Sequence, residues 1–173
     1  MGVSINIHLH LLYFVGYCTG ILAGDMEFED FLDTDFNVKA ECREALLADK
    51  SLLEEYIADG SEISEEQLAI VKRFRKNIKS QFVLLKCLSK HAILKDIEND
   101  KFYAVKALSN TFDELLPFYP IIITLNILPF KNQIIYDGFF VYDKIHIGPN
   151  IKKSLHEEYA KAKKNKEIIM TLD

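Results

Sequence analysis

The most constraining part of the chain is residues 119–148, which hold its densest run of β-branched and aromatic side chains. Such side chains fit the pleated, half-buried surface of a sheet. We predict two long strands here, joined at Pro129–Asn132, and a short third strand after Asp143. Pro120 takes the first position of its strand, where a missing N–H group is tolerated, and Gly138 predicts a bulge.

Three further strands are predicted just before this stretch, at 82–88, 91–97 and 102–108. The connections between them are short, which indicates antiparallel neighbours, because parallel pairs need a crossover of about a dozen residues or more. Thr111 with Glu114 predicts a capped helical turn before the long strands. The sheet is therefore predicted to be an antiparallel meander of about five strands.

The N-terminal half is predicted to be helical. Apolar side chains run nearly all round residues 7–22, as in a buried helix. Residues 1–11 also alternate with a period of two, so that helix and strand both stay open there. Start signals predict three further helices: 38–47 after Asn37, 51–58 with the capping pair Ser51 and Glu54, and 64–79 with the capping pair Ser64 and Gln67.

A closing helix is predicted over residues 149–166. Ile151, Leu155, Tyr159 and Ala162 recur at helical spacing and are expected to face the sheet. The fold class is therefore α+β in one domain: 1–79 mainly helical, 80–148 an antiparallel sheet and 149–166 the C-terminal helix. A chain of 173 residues with 49% hydrophobic and 27% charged residues has the size and composition of an ordinary globular domain.

Cellular location is predicted from the cysteines and the N-terminus. The three cysteines have no short spacing, which is typical of reduced thiols in a cytoplasmic protein rather than a disulfide framework. Residues 1–24 carry no charged side chain, yet a secretory signal would need Lys or Arg at its start. His8, His10 and Thr19 interrupt any membrane span. We therefore expect a cytoplasmic protein with no membrane association.

Charge is divided unevenly along the chain. Residues 1–66 carry 15 acidic and 3 basic residues, whereas residues 67–173 carry 18 basic and 11 acidic residues. Two interpretations stay open: the two halves neutralise one another, or a basic patch binds an anionic partner.

The strongest basic cluster lies on the predicted helix 64–79, which carries Lys72, Arg73, Arg75, Lys76 and Lys79. Nucleic-acid binding through this helix is one hypothesis for the function. The overall acidity and the lack of a recognisable nucleic-acid-binding motif count against it.

Residues 25–36 form an acidic segment that also holds Phe28, Phe31 and Phe36. The phenylalanines either attach the segment to the surface of the domain or dock a partner. With no catalytic motif in view, our leading hypothesis is a non-catalytic interaction module with a protein partner rather than a nucleic acid. An exposed strand edge would also allow a homodimer.

Sequence signatures of catalysis are absent. Phosphate-loop, dinucleotide and nucleophile-elbow motifs are missing, no cofactor is predicted, and the spacing of His8 and His10 gives no metal site. Asp137 is a polar residue within an otherwise apolar predicted strand, and its carboxylate is costly to bury without partners. It either stabilises a bulge with Gly138 or forms a small polar site with Tyr136 and Lys153, as in an enzyme.

The C-terminal part resembles a group of uncharacterised bacterial proteins. The likeness rests on a Pro-Phe-Lys turn, an Ile-Ile-Tyr-Asp-Gly strand and a following helix. The matching residues are Pro129, Phe130, Lys131, Ile134, Ile135, Tyr136, Asp137, Gly138, Leu155, Tyr159, Ala162 and Lys163. The resemblance implies a shared hairpin-and-helix unit and a bacterial origin, and it implies no activity. The turn before the helix differs, since this chain has only Gly148 followed by Pro149.

Overall fold

The computed structural model describes residues 3–60, 63–107, 112–116 and 118–172, with side chains from Asn6 onward. The chain divides into two compact units, Met1–Arg75 and Lys76–Asp173. In the described residues, no helix combines the length and the apolar character needed to cross a membrane.

The regular elements described in the first unit are all helices. Its helices are α1 (Val3–Cys18), α2 (Phe28–Asp33), α3 (Phe36–Ala48), α4 (Ser51–Asp59) and α5 (Glu65–Arg73), and α5 continues into a 3-10 turn at Phe74–Lys76. The ambiguous N-terminal residues are therefore helical from Val3. Leu11, Leu12 and Val15 of α1 are completely buried, as predicted for a core helix.

One of the three predicted start signals forms as expected. Ser64 and Gln67 make a complete capping box, in which each side chain accepts the other residue's backbone N–H group. By contrast, α3 begins after Asp35 rather than Asn37. Ser51 is the first residue of α4, and its N–H group donates to Asp49 Oδ1 at 2.9 Å. These two predicted caps are therefore wrong: Asp35, which makes no side-chain capping bond, precedes α3, and Lys50 precedes α4.

The predicted helix 64–79 is too long. Helix α5 ends at Arg73, and Phe74, which is buried, opens the 3-10 turn. From Ile78 onward the chain forms a strand paired with a later part of the sheet. Pairing over long sequence distances therefore overrides the local preference for helix, as tertiary context commonly does.

The second unit is built on five strands: β1 (Ile78–Cys87), β2 (Ala92–Asp96), β3 (Phe102–Lys106), β4 (Ile121–Phe130) and β5 (Gln133–Asp143). They form a closed barrel in the order β1-β2-β3-β5-β4, in which β4 pairs back with β1. Four pairings are antiparallel, but β3 and β5 run parallel. The predicted purely antiparallel sheet is therefore wrong. A helical turn, α6 (Phe112–Leu115), and β4 separate these two strands and provide the crossover that a parallel pair needs.

This connectivity is that of the OB fold, a five-stranded Greek-key barrel. The interior is filled by alternate residues of every strand, as the two-residue period of a strand requires. Phe82 and Leu84 of β1, Leu94 of β2 and Val105 of β3 meet Ile121, Ile123, Leu125 and Ile127 of β4 there. Phe112 of α6 joins the same core, with its ring 4.9 Å from that of Tyr136.

The long hairpin differs in detail from the prediction. Strand β4 continues through Pro129 to Phe130, so the turn consists of Lys131 and Asn132, with Lys131 at φ +53°. The predicted bulge at Gly138 is confirmed: its φ is +95°, and the strand register shifts opposite it. Residues 144–148, all described, contain no strand, so the predicted third strand is wrong.

The C-terminal helix, α7 (Pro149–Asn165), covers the outer face of the first three strands. Leu155, Tyr159 and Ala162 are buried against it, as predicted. Ile151 is 61% exposed, so its predicted place on the sheet is wrong. It lies in the first turn of α7, whereas the buried cluster begins at Leu155 one turn later.

Residues after α7 pack against β3 and the barrel interior. Strand β3 pairs with β5 only at Val105 and Lys106. Beside its first half lies Ile169, which donates its N–H group to Phe102 O at 2.8 Å and accepts the Ala104 N–H group at 2.9 Å. Leu172 then enters the interior core. The segment after α7 thus adds one parallel bridge, between Ile169 and Tyr103, to this side of β3.

Candidate functional site

A cavity of about 590 Å³ opens at one end of the barrel. It lies at the β1–β2 turn and the β4–β5 turn, and residues of β3 and α6 form the rest of its wall. We call it the turn pocket. Its lining residues are Cys87, Leu88, Ser89, Lys90, His91, Ala92, Ala104, Lys106, Ala107, Phe112, Asp113, Asn132, Gln133, Ile134 and Met170. Cavities of about 300–1,000 Å³ are typical of small-ligand sites.

Local structure explains why the two turns can line a pocket. Leu88 N–H donates to His91 O at 2.8 Å and closes the β1–β2 turn, which leaves Ser89 and Lys90 exposed at its tip. On the other side, the left-handed backbone of Lys131 permits a two-residue turn. Asn132 and Gln133 follow directly, and both line the cavity.

The rim of the turn pocket is polar and more basic than acidic. Lys90 and Lys106 are exposed, His91 is half-buried, and Asp113 is the one acidic residue among the lining residues described. Ser89, Asn132 and Gln133 add hydroxyl and amide groups that can donate and accept hydrogen bonds. Leu88 and Met170 contribute exposed apolar surface. The rim can therefore contact an anionic group and an apolar ring of the same ligand.

The lining of the turn pocket also contains a thiol, that of Cys87, which is poorly suited to nucleophilic attack. Burial raises the pKa of Cys87 above its usual value, and nearby Asp113 raises it further, against the opposing effect of a hydrogen bond. In that bond Cys87 Sγ lies 3.2 Å from the Tyr119 hydroxyl oxygen. Burial and the contacts with Cys87 and Asp113 also raise the pKa of Tyr119. Both groups therefore keep their protons near neutral pH, and only the thiolate is strongly nucleophilic.

The outer face of strands β1–β3 is closed by α7. Leu155, Tyr159 and Ala162 pack against Val83, Leu85, Ile93, Phe102 and Ala104 on that face. Lys95 of β2 donates to Glu158 Oε2 of α7 at 2.6 Å. Helix α7 therefore covers this face of the barrel and leaves the turn pocket open.

The predicted basic cluster does not form one helix face. Lys72 and Arg73 lie in the last turn of α5, Arg75 and Lys76 lie in the 3-10 turn, and Lys79 lies in β1. Arg75 is bound to Glu54 of α4 by two hydrogen bonds, with Nε–Oε1 at 2.6 Å and Nη2–Oε2 at 2.5 Å. This pairing gives Arg75 a structural role within the helical unit.

The predicted polar site near Asp137 is also dispersed. Tyr136 is buried in the barrel interior, and Asp137, the next residue of the strand, lies on the opposite side of the sheet. There the Asp137 carboxylate accepts the Phe139 N–H group at 3.1 Å and an Asn126 Nδ2 hydrogen at 3.2 Å. Lys153 of α7 is exposed and lies 3.9 Å from Glu157. The contacts of Asp137 are those of a residue that fixes a bulge.

The acidic segment 25–36 is partly built into the helical unit. Phe31 is completely buried, and the Phe28 ring stacks on His10 with centroids 3.8 Å apart. Phe36 is 58% exposed. Two of the three phenylalanines therefore pack within the unit, as in the interpretation that they attach the segment to the domain.

Sequence reasoning missed the turn pocket because its walls come from four distant parts of the chain. The signal that was available is the polar turn Ser89–Lys90 followed by His91, together with the turn at Asn132. Nothing in the sequence indicates that these turns meet; only the barrel order brings them to the same end.

The described residues contain no group of three or more His, Cys, Asp or Glu side chains that would suit a metal ion. The resemblance of residues 129–163 to a group of bacterial proteins stays a prediction. Comparisons of the chain with protein-family models, curated proteins and solved structures gave no match.

Proposed function

We propose that the barrel unit is a non-catalytic binding module that takes up a nucleotide-sized portion of a single-stranded nucleic acid in the turn pocket. The observation that carries this proposal is the position of the pocket, between the β1–β2 and β4–β5 turns of a barrel with OB connectivity. Because a fold alone does not determine a function, the chemistry of the site has to agree.

Three features of the pocket support an anionic ligand with a flat ring. Lys90 and Lys106 are exposed cations at the rim, suited to phosphate. Asn132 and Gln133 carry amides, which can pair with base edges. Leu88 and Met170 offer exposed apolar surface to the face of a base.

Two further features limit the ligand to a short segment. Helix α7 covers the β1–β3 face along which a longer strand would run. Phe112 in the lining is 2% exposed and belongs to the core. Among the lining residues described, this leaves the half-buried His91 as the one ring on which a base can stack, so successive bases have no extended platform there.

Fluorescence anisotropy tests the proposal with short labelled single-stranded DNA and RNA and with a duplex, at several salt concentrations. The variant Lys90→Ala/Lys106→Ala removes both rim cations. We expect it to bind single strands at least about tenfold more weakly. In a plot of the logarithm of the binding constant against the logarithm of the salt concentration, the negative slope should become shallower by about 0.7 for each phosphate that the variant no longer neutralises.

The matched control is Lys163→Ala/Lys164→Ala, which removes the same charge from exposed lysines in the last turn of α7. It should retain most of the affinity. A second comparison, Lys72→Ala/Arg73→Ala, tests the alternative site at the end of α5. Equal weakening by the control and the pocket variant, or weakening confined to the α5 variant, contradicts binding in the turn pocket.

A protein partner is the second candidate. The observation in its favour is that Val141, Ile145 and Ile151, within one short stretch, are 71%, 59% and 61% exposed. Exposed apolar surface of this kind marks interaction sites when it is contiguous. A second copy of the chain is the first partner to test: sedimentation should show a dimer that Val141→Ser/Ile145→Ser/Ile151→Ser dissociates. A wild-type monomer at all concentrations would exclude self-association.

A further inference from the structure

A second cavity, of about 230 Å³, lies within the helical unit and is independent of the turn pocket. We propose that it binds a quaternary ammonium group. Aromatic side chains form most of its wall: His10, Tyr13, Phe14 and Tyr17 come from α1, and Tyr56 comes from α4. We call it the aromatic pocket.

The aromatic wall follows from helix geometry. Positions 13, 14 and 17 follow position 10 by three, four and seven residues. Their side chains therefore lie on the same face of α1 as that of His10. Tyr56 meets this face from α4, with its ring 5.2 Å from that of Phe14 in a T-shaped arrangement. The Tyr13 hydroxyl donates to Met26 O at 2.6 Å, which fixes that ring in place.

The electrostatics of the aromatic pocket favour a cation. The faces of aromatic rings carry negative potential, which attracts cations within about 6 Å of the ring centre. Asp59, an exposed carboxylate in the last turn of α4, lines the same cavity. Gly60, where α4 ends, lines it too, and the C-terminal ends of helices attract positive charge.

Carboxylates near Cys18 act in the same direction. Cys18, at the end of α1, has its pKa raised by burial and then by the charges of Glu55 and Asp59. The surrounding sequence is acidic as well, since residues 1–75 carry 15 acidic and 6 basic residues. A cation entering the pocket is therefore attracted by the rings, by carboxylates and by the unit as a whole.

The lining distinguishes a quaternary ammonium from a primary one. A primary ammonium carries three N–H donors that need acceptors when it leaves water. Among the lining residues described, Asp59 is the one carboxylate, the tyrosine hydroxyls are the other side-chain oxygens, and the hydroxyl of Tyr13 is already bonded to Met26 O. A trimethylammonium group has no N–H donor, and its methyl groups can contact rings directly, as in aromatic cages.

Isothermal titration of the full chain with choline, and separately with a peptide containing trimethyllysine, tests the proposal. Binding of either compound supports it, and the pair identifies whether the group is recognised on a small molecule or on a protein side chain. The neutral isostere 3,3-dimethylbutan-1-ol has the same shape without the charge. We expect it to bind at least about tenfold more weakly than choline.

Two substitutions assign the binding to the aromatic pocket. Tyr17 is 55% exposed, so Tyr17→Leu removes an aromatic face without opening the core, and Asp59→Asn removes the carboxylate. Each should weaken choline binding several-fold. Phe36→Leu is the matched control, because Phe36 is a similarly exposed aromatic residue outside the pocket lining, and it should bind as the wild type does.

Three results would overturn the proposal. They are no binding of either compound at millimolar concentration, equal binding of choline and its neutral isostere, or unchanged binding by both Tyr17→Leu and Asp59→Asn. The nucleic-acid test of the turn pocket uses other residues and another ligand, so that the two proposals can fail separately.

Discussion

Gly16 of α1 and Cys42 of α3 approach so closely that a β-carbon at position 16 would lie 2.7 Å from Cys42 Sγ. The same added atom would lie 2.7 Å from Leu22 Cγ. Glycine is therefore what allows α1, Cys42 and Leu22 to pack at this distance.

We expect Gly16→Ala to lower the free energy of unfolding by about 1–2 kcal/mol, because overpacking costs more than the roughly 0.5–1 kcal/mol that alanine gains in a helix. Urea denaturation measures the change. Gly24→Ala is the control, since a β-carbon there meets nothing within 4 Å. A stabilised Gly16→Ala variant would mean that Leu22 and Cys42 move aside at no cost.

The ion pair between β2 and α7 should make stability depend on pH. The hydrogen bond from Lys95 lowers the pKa of Glu158 below its usual value. A carboxyl group whose pKa is lowered in the folded state stabilises the fold at pH values above its unfolded pKa, which is about 4.3 for glutamate. That contribution is lost as the pH falls through the folded pKa.

Glu158→Gln should therefore lower the free energy of unfolding by about 0.5 kcal/mol at pH 7, a value reduced because the pair is partly exposed. At pH 3 the variant should lower it by less. Urea denaturation at both pH values tests this. Glu157→Gln is the control, because its contact with Lys153 is exposed at both ends and measures 3.9 Å. An effect of Glu158→Gln that grows at low pH has the wrong sign for this mechanism.

The cysteines of the helical unit should react at very different rates. Burial raises the pKa of Cys42 to about 11, whereas Cys18 is exposed with a pKa raised above its usual value. At pH 8 we expect iodoacetamide to modify Cys18 first and Cys42 only after unfolding, because the thiolate is the reactive form. Peptide mass spectrometry distinguishes the sites.

Asp59→Asn should accelerate the modification of Cys18, because removing a nearby negative charge lowers the thiol pKa. If Cys42 in the native protein reacts as fast as Cys18, its burial between helices is not maintained in solution.

The segment after α7 should contribute substantially to the stability of the barrel. Leu172 is 8% exposed within the interior core, so we expect Leu172→Ala to cost about 2–3 kcal/mol. Met170, two residues earlier, is 54% exposed. The free energy of unfolding of Met170→Ala should therefore lie within about 0.5 kcal/mol of the wild-type value. Equal unfolding midpoints for the two variants in urea would contradict the docking of this segment.

Asp137 provides a test of the bulge. Asp137→Ala leaves the buried N–H group of Phe139 without its acceptor and should cost about 1–3 kcal/mol. Asp137→Asn retains a carbonyl oxygen at the same place and should cost less. Unfolding in urea separates the two. An alanine variant as stable as the wild type would leave the carboxylate without a structural role and favour the hypothesis of a polar site.

Local signals predicted part of the local structure. The capping box of Ser64 and Gln67 and the bulge at Gly138 both form as the residue types indicate. The apolar spacing of Leu155, Tyr159 and Ala162 identified the buried stripe of α7. Each of these features has its signal in residue types that lie within a few positions of one another, which a single sequence contains.

Features that depend on distant pairing were not predictable. The parallel contact between Val105 and Ile134 joins strands that are not consecutive, and no residue type specifies it. The end of α5 at Arg73 is set by Ile78 pairing with Ile127. The turn pocket follows from the same pairings, since only the barrel order brings Lys90 and Asn132 to one end.

The pairing of Ile169 with the free half of β3 has a consequence for synthesis on the ribosome. The helical unit has all its residues available once the first 75 have emerged, and domains generally fold in this N-to-C order. The barrel must wait for almost a hundred more residues, because Ile169 and Leu172 are the last of its contacting residues in chain order. Until then β3 presents an unpaired edge, the kind of edge on which nascent chains aggregate.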